Sequence, residues 1–145
     1  MHSTTVILIV EDNPGDVNLL RRALSGVRSV SLFVVNDGAA AIEFLRHEGE
    51  YGGAPRPNLL LLDLSLPKMD GHQVLAVVKG DPSLKSIPVV ILSGSNAPND
   101  ISRAYALNAN CYIAKPIDLD DYDRVIKAFE QFWLQIAQLP GSETE

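Results

Sequence analysis

Leu59-Leu60-Leu61-Leu62-Asp63 is the stretch on which the fold turns. A short continuous apolar run closed by a carboxylate reads as a strand buried on both faces. Pro57 stands just ahead of it, where a missing N–H is tolerated. Outward from this run lie four more of the same kind: Val6 to Val10, Leu32 to Val35, Val89 to Leu92 and Tyr112 to Ala114. Pro88 marks the start of the fourth strand as Pro57 marks the third. The intervening segments carry helical spacing, with Val17, Leu20, Leu24 and Val27, then Ala40, Ile42 and Leu45, then Val74, Val77 and Val78. Asp16 or Gly15 is expected to open the first helix, and Asp37-Gly38 to turn into the second. Asp70-Gly71 precedes the third, and Asn96 to Asp100 holds capping candidates for the fourth. The order is (βα)5. Parallel connections need right-handed crossover helices, so the fold class is α/β, a doubly wound, flavodoxin-like parallel sheet of strand order 2-1-3-4-5.

The chain has 145 residues, 46% of them hydrophobic and 21% charged, which suits one globular domain. No repeat, low-complexity run or linker interrupts it. A net charge of −6 argues against binding a phosphate backbone, so direct nucleic-acid contact is not expected. The single cysteine, Cys111, forms no internal disulfide. Glu11 and Asp12 cut short the only early apolar run, so no secretion signal is read, and no run approaches the roughly 20 apolar residues of a membrane span. The expected compartment is the cytoplasm.

The tail reads differently from the rest. Val125, Phe129, Phe132, Ile136 and Leu139, with Ile126, Trp133 and Leu134 beside them, make more than one buried face. A sheet-covering helix runs about 11 or 12 residues, so the turns beyond Phe129 need some other cover. The division expected is a domain over residues 1–128 and, over 129–145, the end of the fifth helix and an arm, which either forms a dimer or folds back on its own subunit.

In an open α/β sheet the ligand crevice lies beyond the carboxyl ends of the strands. The first strand ends in Glu11-Asp12, the third in Asp63, the fourth in Ser93 and the fifth in Lys115-Pro116. Strand order 2-1-3-4-5 brings these four ends together. Three crowded carboxylates repel and raise one another's pKa unless a cation joins them, and an all-oxygen set suits Mg2+. Asp63 can then act as a nucleophile toward phosphorus, with Lys115 and Ser93 serving the phosphoryl oxygens. The product is an acyl phosphate. Alone, Asp63 would read as a turn or cap residue; the matching strand ends favour the chemical reading. Asp70 and Asp16 read as cap and helix opener, Cys111 as a packing residue, and His2, His47 and His72 have no metal-site spacing.

These residues sit in five ordered motifs: Val-Glu-Asp-Asn at 10–13, Leu-Leu-Asp-Leu at 61–64, Leu-Pro-Lys-Met-Asp-Gly at 66–71, Ile-Leu-Ser-Gly at 91–94 and Ala-Lys-Pro at 114–116. Through them the chain resembles the receiver domain of two-component response regulators. The resemblance implies that Asp63 is the phosphoacceptor, that Asp12, Asp63 and the Ser65 carbonyl bind Mg2+, and that Glu11 holds a metal-bound water. It implies an ion pair between Lys115 and the phosphoryl group, a switch in which Ser93 and Tyr112 move, and a cis Lys115-Pro116 peptide. Such a protein is a phosphoacceptor switch rather than an enzyme, helping only its own phosphorylation and slow dephosphorylation.

Further stretches, Gly-Glu-Tyr at 49–51, Arg-Pro-Asn-Leu at 56–59, Asn-Cys-Tyr at 110–112 and Phe-Trp-Leu at 132–134, are similar to the single-domain regulators of cyanobacterial and bacterial phytochromes. That likeness implies a phytochrome histidine kinase as phosphodonor. It also implies a homodimer on the face of the fourth and fifth helices, to which Phe129, Phe132, Trp133, Leu134, Ile136 and Leu139 contribute. Competing readings are a phosphorylation-independent pseudo-receiver, an Asp-nucleophile phosphatase and a flavodoxin-like or nucleotide carrier. A phosphatase of that kind carries an acid two residues after its nucleophile, where this chain has Ser65. The carrier needs a phosphate-cradling loop where this chain has Glu11 and Asp12.

Overall fold

The computed structural model describes residues 4–24, 26, 27 and 29–141. Its strands are β1 (Thr5–Val10), β2 (Val30–Val35), β3 (Leu59–Leu62), β4 (Val89–Ser93) and β5 (Cys111–Ala114). They pair in parallel in the order β2-β1-β3-β4-β5, as the spacing of apolar runs and helices leads one to expect. Helices α1 (Pro14–Leu24), α2 (Gly38–Arg46), α3 (Gly71–Gly80), α4 (Pro98–Ala106) and α5 (Leu119–Phe129) alternate with the strands. A 3-10 turn (Gly49–Tyr51) follows α2, and a π-helical segment (Glu130–Ile136) continues α5.

Strand side chains alternate between faces, so the central strands feed two cores. Leu8, Val10, Leu60, Leu62, Val89 and Ile91 pack against Ala41 and Phe44 of α2, Val74 and Val78 of α3 and Ala104 of α4. Ile7, Ile9, Leu59, Leu61, Val90 and Leu92 pack against Leu20 and Leu24 of α1 and Tyr122, Ile126 and Phe129 of α5. Burial on both faces holds for β3 and β4 throughout. The outer strands β2 and β5 are mostly half-buried, since each has a neighbour on one side only.

Two helix starts differ from expectation. The first helix opens at Pro14, not at Gly15 or Asp16, because the Asn13 side-chain oxygen accepts the Asp16 N–H at 3.1 Å and proline at the first position needs no donor. Ahead of α4, extended Ala97 offers no side-chain cap; Ser95 Oγ accepts the Ala97 N–H at 3.2 Å instead. The other two expectations hold. Asp37 caps α2 through Ala40 N–H at 2.7 Å, and Asp70 forms a reciprocal capping box with Gln73 at α3.

The tail returns to the domain it leaves. Leu139 is buried in the second core. Asn58, at the start of β3, accepts the Val6 N–H at 2.7 Å and donates to the Pro140 carbonyl at 3.0 Å. One side chain therefore joins β1, β3 and the tail. Phe129 is buried as well, Trp133 and Leu134 pack partly buried against the same core, and Phe132 and Ile136 are exposed. Among the described residues no helix is long and apolar enough to cross a membrane.

Candidate functional site

The parallel ladder continues one residue past the strands and thereby fixes the site. Glu11 N–H donates to Val35 O at 3.1 Å, Asp63 N–H to Val10 O at 3.0 Å, and Lys115 N–H to Ser93 O at 2.7 Å. The carboxyl ends of β1, β3, β4 and β5 are thus drawn level. Glu11 is 2% exposed, Asp63 7% and Ser93 fully buried, while Asp12 lies open to solvent. A cleft lined by Glu11, Asp12, Pro14, Val17, Asn18 and Arg21 opens beside them.

Carboxylate oxygens of Glu11, Asp12 and Asp63 all lie within 4.8 Å of one another. Lys115 Nζ enters this acidic crevice, 2.6 Å from Glu11 Oε1, 2.8 Å from Asp16 Oδ2 and 3.6 Å from Asp63 Oδ2. Burial raises the Glu11 pKa to about 7, against the Lys115 hydrogen bond and with help from the Asp63 charge. Burial opposes the Lys115 charge, but its hydrogen bonds to Asp16 and Glu11 outweigh that and hold the ammonium above its ordinary pKa. The donor set fits a divalent ion. It is all oxygen, it converges, Asp12 leaves a solvent-facing side, and the buried Glu11 carboxylate is short of positive charge.

The loop that follows Asp63 is built for close approach. Asp63 Oδ1 accepts the Leu64 N–H at 2.8 Å, and Gly71 N–H returns to Leu64 O at 2.9 Å. A Cβ on Gly71 would stand 2.3 Å from the Asp63 carbonyl oxygen, so only glycine lets α3 start here. Ser65 lies exposed on this loop. On the other side of the crevice Ser93 Oγ accepts the Ser95 N–H at 3.3 Å. The Tyr112 hydroxyl donates to the Ser95 carbonyl at 2.8 Å, and its backbone N–H donates to the Tyr105 hydroxyl at 3.0 Å. Tyr112 is therefore tied to the loop between β4 and α4.

The structure corrects one expectation and adds a residue. The Lys115-Pro116 peptide is trans, since no cis bond occurs among the described residues. Trans is the lower state of an ordinary X–Pro bond by about 0.5–1 kcal/mol, and Lys115 reaches the crevice from it. Asp16, read from sequence as a helix opener, is a counter-ion of Lys115 instead. Asp16 follows Asp12 by one helical turn, but that spacing returns its side chain to the strand end only once α1 is known to open at Pro14.

The response regulator receiver domain profile matches residues 7–127. Response regulator Rcp1 of Synechocystis is 44% identical over 138 residues, 94% of either chain. The Mn2+-bound form of Rcp1 superposes with a TM-score of 0.92, covering 94% of this chain and 99% of its own. The phosphorylated cyanobacterial phytochrome response regulator RcpA is 47% identical, with TM-score 0.92 over 95% of this chain and 99% of its own. FilR2 of Methanothrix harundinacea, a probable methanogenesis regulatory protein, is 40% identical over 94% of this chain and 88% of its own. Shared profile, shared sheet order and near full-length superposition together make this chain a member of the response regulator receiver domain family.

Proposed function

We propose that this chain works in the cytoplasm as a single-domain response regulator, taking a phosphoryl group from a histidine kinase onto Asp63 and changing its protein contacts in response. Receiver domains bind a divalent metal and act as switches rather than turnover enzymes. The observation that carries the reading is the buried Asp63 carboxylate, held by the ladder beside Glu11 and Asp12 and faced by the Lys115 ammonium at 3.6 Å.

An Asp63 carboxylate oxygen attacks the phosphorus of a phosphohistidine. The new O–P bond forms as the N–P bond breaks, and the imidazole departs with the electron pair and takes up a proton. Asp12 and Asp63, with the Ser65 carbonyl and with Glu11 through a water, would hold Mg2+, which supplies positive charge against the phosphoryl oxygens. Lys115 moves from its carboxylate partners to the phosphoryl group. Ser93 turns its hydroxyl to a phosphoryl oxygen, leaving the Ser95 N–H, and Tyr112 releases the Ser95 carbonyl as that loop shifts. The chain's only further chemistry is slow loss of the phosphoryl group to water.

The relatives that resemble this chain over nearly its whole length favour a phytochrome as the kinase. Exposed Phe132 and Ile136 support a homodimer, with residues 1–128 as the receiver and 129–145 as the dimer-forming end. Phe129 and Leu139 are covered within the chain, so the surface left to a second copy centres on Phe132 and Ile136, flanked by Trp133 and Leu134.

Incubation with acetyl phosphate, read on a phosphate-affinity gel, tests the reading. The expected adduct needs Mg2+ and is lost in Asp63→Asn. A chain that never forms it acts as a pseudo-receiver through constitutive contacts.

A further inference from the structure

Tyr122 stands on the inner face of α5 with Ile126 and Phe129, and is 4% exposed. Its hydroxyl has no hydrogen-bond partner, and among the described residues no other side-chain polar atom is so buried and unpaired. A buried hydroxyl without a partner destabilises the state that contains it. Burial, then the negative charge of Asp16, hold this phenol above its ordinary pKa; Lys115, Glu11 and Asp63 act on it more weakly. Tyr122 thus borders the acidic crevice from the α5 side. Geometry places it there too: α5 packs on α1, and Leu20, one helical turn after Asp16 on the same face of α1, lies in the same core as Tyr122.

Asp16 is the partner of Lys115 that stands outside the converging trio of Glu11, Asp12 and Asp63. Its side chain is 23% exposed, so on losing the ammonium it is only partly served by solvent and would draw Lys115 back. We propose that Tyr122 is a positioning residue for phosphoryl transfer: when Lys115 leaves Asp16 for the phosphoryl group on Asp63, the Tyr122 hydroxyl donates to Asp16 in its place. The inference rests on the reading of Asp63 as phosphoacceptor. Before the exchange Lys115 serves Asp16 and Tyr122 is unpaired; afterwards Lys115 serves the phosphoryl group and Tyr122 serves Asp16. The unpaired group belongs to the resting state alone, which biases the chain toward the phosphorylated one. Because Tyr122 is part of α5, the exchange also carries the signal into that helix by a route separate from Ser93 and Tyr112.

The full chain labelled with 13Cζ-tyrosine tests this by NMR with and without Mg2+ and acetyl phosphate. Tyr122→Phe identifies the resonance among the four tyrosines. The resonance is expected to shift on phosphorylation in the wild type and to stay in place in Asp16→Asn. At limiting donor, Tyr122→Phe lowers the phosphorylated fraction by roughly three- to tenfold, the worth of one net hydrogen bond. Its Tm stays equal or rises, whereas loss of a packing role would lower it. The effect vanishes in the Asp16→Asn background, because the two residues act as a unit. An adduct that forms while the Tyr122 resonance stays fixed overturns the inference and leaves the phosphoacceptor reading intact. A Tyr122→Phe deficit that persists without the Asp16 charge also overturns it. No adduct in the wild type overturns both.

Discussion

Lys115 is one ammonium facing Glu11, Asp16 and Asp63, so the crevice is short of positive charge until a metal or a rearrangement supplies it. Glu11 shows the shortage. With its pKa at about 7 against an ordinary 4.5, folded Glu11 keeps a proton that the unfolded chain has already released. The folded state binds more protons across that window, so its stability falls as pH rises from about 4.5 to 7. Urea denaturation without metal should show a loss of about 1–3 kcal/mol between pH 5 and pH 8. Mg2+ should reduce the loss, and Glu11→Gln should flatten it. A metal-free profile that rises with pH over this range would contradict a crevice short of positive charge. Glu11, Asp12, Asp63, Ser93 and Lys115 were legible as a group because each ends a strand of a sheet whose order the sequence implies. The part played by Asp16 was not. It depends on α1 opening at Pro14, and moving a helix start by one residue rotates every later side chain by about 100°.

Secondary-structure elements meet the site through contacts that leave no room. Gly71 starts α3 against the backbone of Asp63 and Leu64. Gly71→Ala should cost about 1–3 kcal/mol in thermal or urea unfolding, as overpacking against backbone does, and should impair adduct formation by shifting Asp63. Normal stability with normal phosphorylation would show that the approach can relax. The sequence offered Asp70-Gly71 only as a helix cap; the crowding appears once α3 and the end of β3 are in place. At the opposite end of the sheet, Asn58→Ala removes the bonds to Val6 N–H and the Pro140 carbonyl. The expected loss is about 1–3 kcal/mol, with faster proteolysis around residues 137–141; unchanged cleavage there would mean that Leu139 alone holds the tail. The π-helical segment was also hidden. Apolar residues at 129, 132, 136 and 139 fit an ordinary α-helical stripe equally well. Bonding five residues back widens the turn, and the residues turned outward are Phe132 and Ile136, while Trp133 and Leu134 stay against the core.

Across the whole molecule, the strand order and both cores could be read from five short apolar runs separated by helical spacing, because parallel strands with helices on both faces leave few other topologies. For the tail the sequence offered two covers, a second subunit or its own, without deciding between them, since the choice depends on a return of the chain that Asn58 and Leu139 make in three dimensions. What that return leaves outside is Phe132 at 50% and Ile136 at 68% exposure, close together on one segment and apolar enough to favour self-association. Light scattering at micromolar concentration should find a dimer in the wild type and a monomer in Phe132→Glu/Ile136→Glu, with little change in Tm, because neither side chain is in the core. A wild type that stays monomeric with and without phosphorylation would end the dimer proposal.

Everything proposed for the switch depends on Asp63 carrying the phosphoryl group, and mass spectrometry after treatment with Mg2+ and acetyl phosphate reads that out. One phosphoryl group per chain is expected, on the fragment containing Asp63, and released by hydroxylamine as an acyl phosphate must be. An unmodified chain, a hydroxylamine-resistant phosphate ester on a serine, or a group located on a histidine-containing fragment without Asp63 would refute it.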